Sequence, residues 1–395
     1  MRIATETGTP VVTRGAGTGL AGGAIAGPGE LVLSTLAMDA VLEISVDDEI
    51  AVVQPGITNA ELNALLKPHG LWFTPDPASR AISTVGGNIA TNAGGLLCAK
   101  YGVTRDSVLG LTVVLADGRL LRLGRRTIKG VTGLDLTALI IGSEGTLGVI
   151  VEATVKLKRL VTGAVVTITA EFATVDGAAR AASAISSAGA RPAIMELIGE
   201  SAMAAITHYL GLPSTPSAQL VLQFDGSDAE SSARAAAAVI DGLGGIASVS
   251  TDPAESDTLF DIRRSFHPAM AAQGNVLIED VCVPRSALPA MFAAITEIEE
   301  RFGMSIPTVA HASDGNLHPN FVYVGEQVPS EVWAAADELF LAALRLGGTL
   351  TGEHGIGILK RRWIRDELGD DQLELQRQIK AVFDPTDILN PGKAY

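Results

Sequence analysis

Apolar residues in the first 160 positions come in short runs, each closed by a turn. Val11-Val12-Thr13, Leu31-Val32-Leu33, Ile50-Ala51-Val52-Val53, Leu111–Leu115 and Val149–Leu157 have the length and β-branched content of strands. Ala116-Asp117-Gly118-Arg119 has hairpin-turn chemistry. Thr58-Asn59-Ala60-Glu61 is a capping box, and it opens a helix that should stop near Pro68 and Gly70. Short strands with few long helices between them predict an α+β fold, not a doubly wound sheet.

The pattern changes near Val161. Val165–Phe172 reads as a strand and Val175–Ala188 as a helix. Met195–Ile198 and Gln219–Phe224 read as strands, and Glu230–Leu243 as a helix. This β-α-β-β-α order predicts a sheet covered by helices on one face. Phe260–Ala272, Leu288–Phe302 and Ser330–Leu346 continue the helical spacing. Two prolines in the tail predict an ordered, non-helical closing segment. Two domains are expected, 1–160 and 161–395, with residues 383–395 returning to the first.

Composition narrows the function. A 47% hydrophobic share with 18% charged residues describes a folded globular chain. A net charge of −15 argues against nucleic-acid binding, so any phosphate must be held locally. Cys98 and Cys282 lie far apart, which fits a reducing cytoplasm and excludes a C-x-x-C metal or redox motif. No apolar run reaches the length of a membrane span, and the start lacks a secretory signal.

Glycine then becomes informative. Arg14-Gly15-Ala16-Gly17-Thr18-Gly19-Leu20-Ala21-Gly22-Gly23 follows a short strand. Closely spaced glycines let successive N–H groups form an anion-binding nest, with Thr18 and Arg14 able to add a hydroxyl and a charge. The Gly17-x-Gly19-x-x-Gly22 spacing matches a dinucleotide fingerprint, but Gly27-Pro28-Gly29 leaves no room for the helix it requires. Two further clusters share this chemistry. One joins Pro75, Asp76 and Ser79 to Thr84, Gly86, Gly87, Asn88, Thr91, Asn92 and Gly94; the other holds Gly142, Glu144, Gly145 and Gly148. Together they predict a long slot of loops lined by backbone amides and small hydroxyls, suited to a dinucleotide.

The second half carries ligand chemistry. His311-Ala-Ser-Asp-Gly-Asn-Leu-His318-Pro-Asn320 and Thr351-Gly-Glu353-His354-Gly355 hold three of the six histidines. Asp314-Gly315-Asn316 can turn the chain back and bring both imidazoles to one place. Two imidazoles and a carboxylate can hold a divalent metal, and a further imidazole can act as a base. Glycines around Glu353 and His354 predict irregular backbone there.

Arg14–Gly19, Gly86–Gly95 and Ile141–Gly148 resemble the FAD-binding loops of vanillyl-alcohol-oxidase-type (PCMH-type) flavoproteins. The branch they most resemble is the FAD-linked 2-hydroxy-acid dehydrogenases, and His311–Asn320, Gly352–Gly355 and Asn390–Lys393 resemble that branch's C-terminal domain. The resemblance implies an FAD-binding domain followed by a cap of antiparallel sheet and helices. It implies metal-assisted oxidation of a small 2-hydroxy acid, of glycolate or D-lactate type, with hydride transfer to flavin. Zinc, manganese or iron would be held by His311, His318 and Glu353, with His354 as base and Asn320 touching substrate. Ile150 and Asn390 join the implied FAD contacts. Arg263 is the candidate for the substrate carboxylate, because a guanidinium pairs with it bidentately. Ile278–Pro284 lacks the lysine some relatives carry, which argues against a dicarboxylate.

The glycine runs contain no histidine or cysteine, so FAD is expected to be non-covalent. No relay motif is present, so electrons should leave to a quinone, a flavoprotein carrier or partner subunits. A homodimer and a cytoplasmic location, with peripheral contact at the inner membrane face, complete the expectation. Only 13 residues precede Arg14, fewer than the family's opening edge. The alternative is therefore an N-terminally shortened, impaired subunit or binding protein of the same fold.

Overall fold

Turn chemistry sets the strand lengths, and the strands assemble into two separate units. The computed structural model describes residues 1–213 and 217–395. One unit is Met1–Leu160 with Glu353–Tyr395, and the other is Val161–Gly352. The return to the first unit therefore starts at Glu353, well before the expected residue 383. Backbone pairing explains the earlier start: the N–H groups of Ile358 and Leu359 reach the Ala21 carbonyl at 2.9 and 3.2 Å.

In the first unit a short helix α1 (Arg2–Thr7) precedes β1 (Val11–Arg14), which pairs in parallel with β2 (Leu31–Ser34). No helix forms between them, as Gly27-Pro28-Gly29 dictates. A five-stranded sheet follows, in the order β3 (Val41–Ser45), β4 (Ile50–Val53), β8 (Val149–Lys156), β6 (Val108–Val114) and β7 (Leu120–Gly124). A small pair, β5 (Leu71–Trp72) with β9 (Lys158–Arg159), stands beside it. Gly118 turns the β6–β7 hairpin at φ 83°, with its N–H donating to Leu115. Helix α2 (Asn59–Leu66) opens on the capping box: the Thr58 hydroxyl accepts from the Glu61 N–H and Glu61 answers to the Thr58 N–H, at 3.2 and 3.1 Å. Its buried Leu62 and Leu66 join Val53, Phe73, Ile89, Leu111 and Val155 in the core.

One expectation for this unit needs correction. The Thr84–Thr91 run is not a loop but helix α3 (Val85–Thr91), capped by the Thr84 hydroxyl. Gly86 suits close packing there, since a Cβ would lie 2.4 Å from the Pro55 side chain. Ile150, an implied FAD contact, lies in β8 as the strand reading expected, 7% exposed and packed in the hydrophobic core. A register shift against β6 interrupts the alternation of β8 here, and Val149 and Ile150 are both buried. Helices α4 (Cys98–Tyr101) and α5 (Leu136–Ile140) complete the unit before the return segment, which carries a helical stretch over Ile364–Phe383 broken at Gly369.

The second unit is an eight-stranded sheet. Its order is β13 (Ile246–Ser250), β10 (Ala164–Phe172), β12 (Ala218–Gly226), β11 (Ile194–Ile198), β16 (Thr308–His311), β17 (Asn316–Tyr323) and β14 (Asn275–Ile278), with β15 (Val281–Cys282) also on β17. All these pairings are antiparallel. Helices lie on both faces, not one. Helices α6 (Val175–Ser187) and α8 (Ala229–Gly242) cover the β10–β12 side, where Phe172 and Ile240 meet over Gly245. Helix α7 (Glu200–Leu210) and α10 (Phe266–Ala271) bury Ile198 and Val309 on the opposite face. α7 was not expected, because its apolar positions Ala202, Met203 and Ile206 are mostly small or flexible. The predicted Phe260–Ala272 helix is two helices, α9 (Pro253–Arg264) and α10, meeting at Ser265. Pro268 removes an N–H donor at that start, which favours a new first turn. Helices α11 (Leu288–Phe302) and α12 (Ser330–Arg345) match their predicted spans to within a residue.

Candidate functional site

Register decides which side chains meet in the second unit. Glu196 of β11 stands opposite His311 of β16, and His311 opposite Asn316 of β17. Residues two apart on a strand share a face, so His318 and Asn320 follow Asn316 onto that surface. The Asp314-Gly315 turn makes this possible, with Gly315 at φ 90° and its N–H bonded to the His311 carbonyl at 3.0 Å. A Cβ on Gly315 would strike the Val283 carbonyl at 2.0 Å, so the turn needs glycine. The His311 and His318 rings come to 5.0 Å between centroids, nearly perpendicular at 83°.

Buried charge organises this face. Glu196 is fully buried; its Oε1 lies 2.6 Å from His311 Nδ1 and its Oε2 accepts from Arg263 Nε at 2.8 Å. Burial pushes its carboxyl up, but the charges of His311 and Arg263 outweigh that and hold it below the ordinary range. An ionised carboxylate only accepts hydrogen bonds, so Nδ1 carries the proton of this bond and Nε2 is the ring atom left to face a cation. Asp280, also fully buried, accepts from the Thr351 hydroxyl at 2.7 Å and lies 3.7 Å from His318 Nδ1. Asn320 donates to the His318 carbonyl at 3.0 Å, while its Oδ1 has no partner. Both polar atoms of the Asn316 side chain are buried without partners. Unmet donors and acceptors beside two imidazoles fit a site that takes an oxygen-rich ligand and a cation.

In the first unit the glycine clusters supply backbone. Gly17 and Gly22 stand at φ 71° and 81°, and Gly142 and Gly145 at 79° and 76°. The Arg14 Nε donates to the Ala24 carbonyl at 2.8 Å, so this arginine closes its own loop. Gly15 lies so near Thr84 that a Cβ would meet its hydroxyl at 2.2 Å. Asp76 accepts from the Leu97 N–H, and Asn92 from the Arg105 N–H. Asn390 ties two clusters together, its Nδ2 donating to the Gly23 and Glu144 carbonyls at 2.9 and 2.7 Å. Glu144 takes the N–H groups of Ile356 and Gly357 at 2.7 and 2.8 Å, so its carboxylate anchors the return segment. The backbone around Glu353 and His354 is irregular, with Gly355 and Gly357 at φ 81° and 50°. Glu353 packs against Gly94, where a Cβ would lie 2.5 Å from Oε1.

Residues 162–394 match the family described as FAD linked oxidases, C-terminal domain, and residues 1–124 match an FAD binding domain. The chain belongs to the FAD-linked oxidases. The glycolate oxidase subunit GlcD of Bacillus subtilis is 39% identical over 410 residues, spanning all of this chain and 86% of that protein. A D-lactate dehydrogenase of Archaeoglobus fulgidus is 36% identical, spanning all of this chain and 87% of that protein. In fold the oxidase is similar to p-cresol methylhydroxylase, with a TM-score of 0.79 at 16% identity, covering 99% of this chain and 85% of the other. It is an FAD-dependent oxidoreductase with an α+β, PCMH-type FAD-binding fold.

The oxidase's own residues fit a flavin dinucleotide. Positive-φ glycines give a backbone cradle, and buried polar atoms at Thr13 Oγ1, Ser83 Oγ, Asn88 Nδ2 and Asn390 Oδ1 lack protein partners. Sequence reasoning missed Glu196, Asp280 and Asn316. Glu196 had a signal: one charge inside the apolar strand Ile194-Met195-Glu196-Leu197-Ile198 demands a buried partner.

Proposed function

We propose that this FAD-linked oxidase converts a small 2-hydroxy acid, of glycolate or D-lactate type, to the 2-oxo acid. The observation that carries the reading is the His311–His318 pair on a buried sheet face, with Glu196 fixing the His311 proton on Nδ1. The names of the similar glycolate oxidase subunit and D-lactate dehydrogenase support the substrate class.

When bound, FAD supplies the two-electron oxidant, and zinc, manganese or iron supplies Lewis-acid polarisation of hydroxyl and carboxylate oxygens. His311 and His318 are the proposed metal ligands; the motif at Gly352–Gly355 supports Glu353 as the third. His354 takes the substrate's hydroxyl proton. Arg263 binds the carboxylate through its Nη groups, while its Nε is committed to Glu196. Asn320 offers its unpartnered Oδ1 to the substrate hydroxyl. FAD is held non-covalently by the three glycine clusters and Asn390. Electrons leave to a quinone, a flavoprotein carrier or a partner subunit. Among the described residues no helix is long and apolar enough to cross a membrane, and a cytoplasmic place with peripheral membrane contact belongs to this proposal.

Anaerobic mixing of the yellow holoenzyme with a panel of D- and L-2-hydroxy acids tests the reading. Glycolate or D-lactate should bleach the flavin, and a chelator should slow the bleaching. Bleaching by none of the panel would sink the substrate assignment; bleaching that ignores the chelator would remove the metal.

A further inference from the structure

We infer that Glu196 is a positioning residue that serves two functions of the site at once: it holds His311 in the metal-competent tautomer and Arg263 in the carboxylate-binding pose. The inference rests on the reading above and deepens it. The strand that carries Glu196 is otherwise apolar and every residue of it is buried, so a carboxylate there costs folding free energy unless both oxygens are met. Both are met, by different partners. Oε1 meets His311 Nδ1 at 2.6 Å and Oε2 meets Arg263 Nε at 2.8 Å. Arg263 is only 13% exposed in its side chain, so its guanidinium is held within the fold.

The chemistry separates this role from mere stability. A carboxylate presents two acceptors; a carboxamide of the same shape presents one acceptor and one donor. In Glu196→Gln the amide must therefore turn its NH2 towards one partner. Turned to Arg263, it sets donor against donor and frees the guanidinium. Turned to His311, it needs an unprotonated Nδ1, which drives the proton to Nε2 and removes the lone pair a cation requires. One function or the other must fail.

The test uses Glu196→Gln holoenzyme beside wild type. Zn2+ or Mn2+ affinity is read by competition with a fluorescent chelator, and KM is read for glycolate and D-lactate. The expected result is a roughly 10–100-fold loss of metal affinity, or a KM raised by about tenfold or more through the freed Arg263. Metal affinity and KM both within about twofold of wild type would overturn the inference, whatever the melting temperature did, and would leave the functional reading standing. Wild type that binds neither cation would instead bring down the metal reading, and the inference with it. Should the variant fail to fold, 15N-imidazole spectra of metal-free wild type decide, with His311→Asn assigning the signal. A proton on Nδ1 supports the role, and one found only on Nε2 ends it.

Discussion

The loop Gly15–Gly23 and the hairpin His311–His318 are built from opposite materials. The first offers main chain: glycines at φ 71° and 81°, closed by Arg14 on the Ala24 carbonyl. The second offers side chains: two imidazoles 5.0 Å apart, backed by a carboxylate with no exposure. A main-chain site needs room, so an added Cβ is its natural injury. A side-chain site needs the right sequence of donors and acceptors, so its natural injury is an isosteric swap that inverts one of them. Burial sharpens the second case, because a misplaced donor in a dry site cannot turn to water.

The largest expected effect tests an exception to that contrast. His354 sits on the return segment of the first unit yet is proposed to act through its side chain. His354→Asn should lower kcat by about 10²–10⁴-fold, with flavin absorbance and metal content unchanged. Wild-type turnover in that variant would remove His354 as the base.

Glycine substitutions come next, and they divide by what the missing Cβ faces. Gly86→Ala would place a Cβ 2.4 Å from the Pro55 side chain and 2.9 Å from its carbonyl. It should destabilise the fold by about 1–3 kcal/mol with or without flavin. Gly19 has no atom within 4 Å of its Cβ position and no positive φ. Gly19→Ala should therefore leave the apoprotein's melting temperature alone and weaken FAD by roughly tenfold, about 1.4 kcal/mol. Equal flavin affinity would mean that Gly19 is only a turn residue. Asn390→Ala lies between these cases. It removes the bonds to the Gly23 and Glu144 carbonyls and should cost about 1–3 kcal/mol, read as a lower urea midpoint.

Legibility followed the same division. Strands β1, β2 and β4, the capping box at Thr58 and the hairpin at Gly118 could be read because local chemistry decides them. The His311–His318 turn could be read for the same reason. What stayed hidden depended on distant partners. Thr84–Thr91 has the glycines of a loop, yet the Thr84 cap and the close approach of Pro55 make it a helix. Glu196 and Asn316 meet His311 only through a register that joins residues far apart in sequence. Arg263 was chosen for a ligand alone, while the fold also commits its Nε to Glu196.

The smallest effect concerns a side chain placed inside the main-chain site. Burial raises the Glu144 carboxyl above its ordinary 4.5, while the N–H groups of Ile356 and Gly357 and the charge of Lys360 pull it down. Because burial prevails, the folded protein binds this proton more readily than the unfolded chain. Glu144 therefore contributes stability fully below the unfolded value, and that contribution is lost as pH rises through the folded one. Glutamine does not titrate. It keeps one acceptor for the return segment, but its NH2 opposes one of the two N–H donors, a cost independent of pH. Urea midpoints of wild type and Glu144→Gln, measured from about pH 4 to about pH 7, should differ by an amount that shifts in the variant's favour as pH rises. A difference constant across that range would show that Glu144 holds Ile356 and Gly357 in a single protonation state, and the first unit's site would then owe nothing to a titrating side chain at this position.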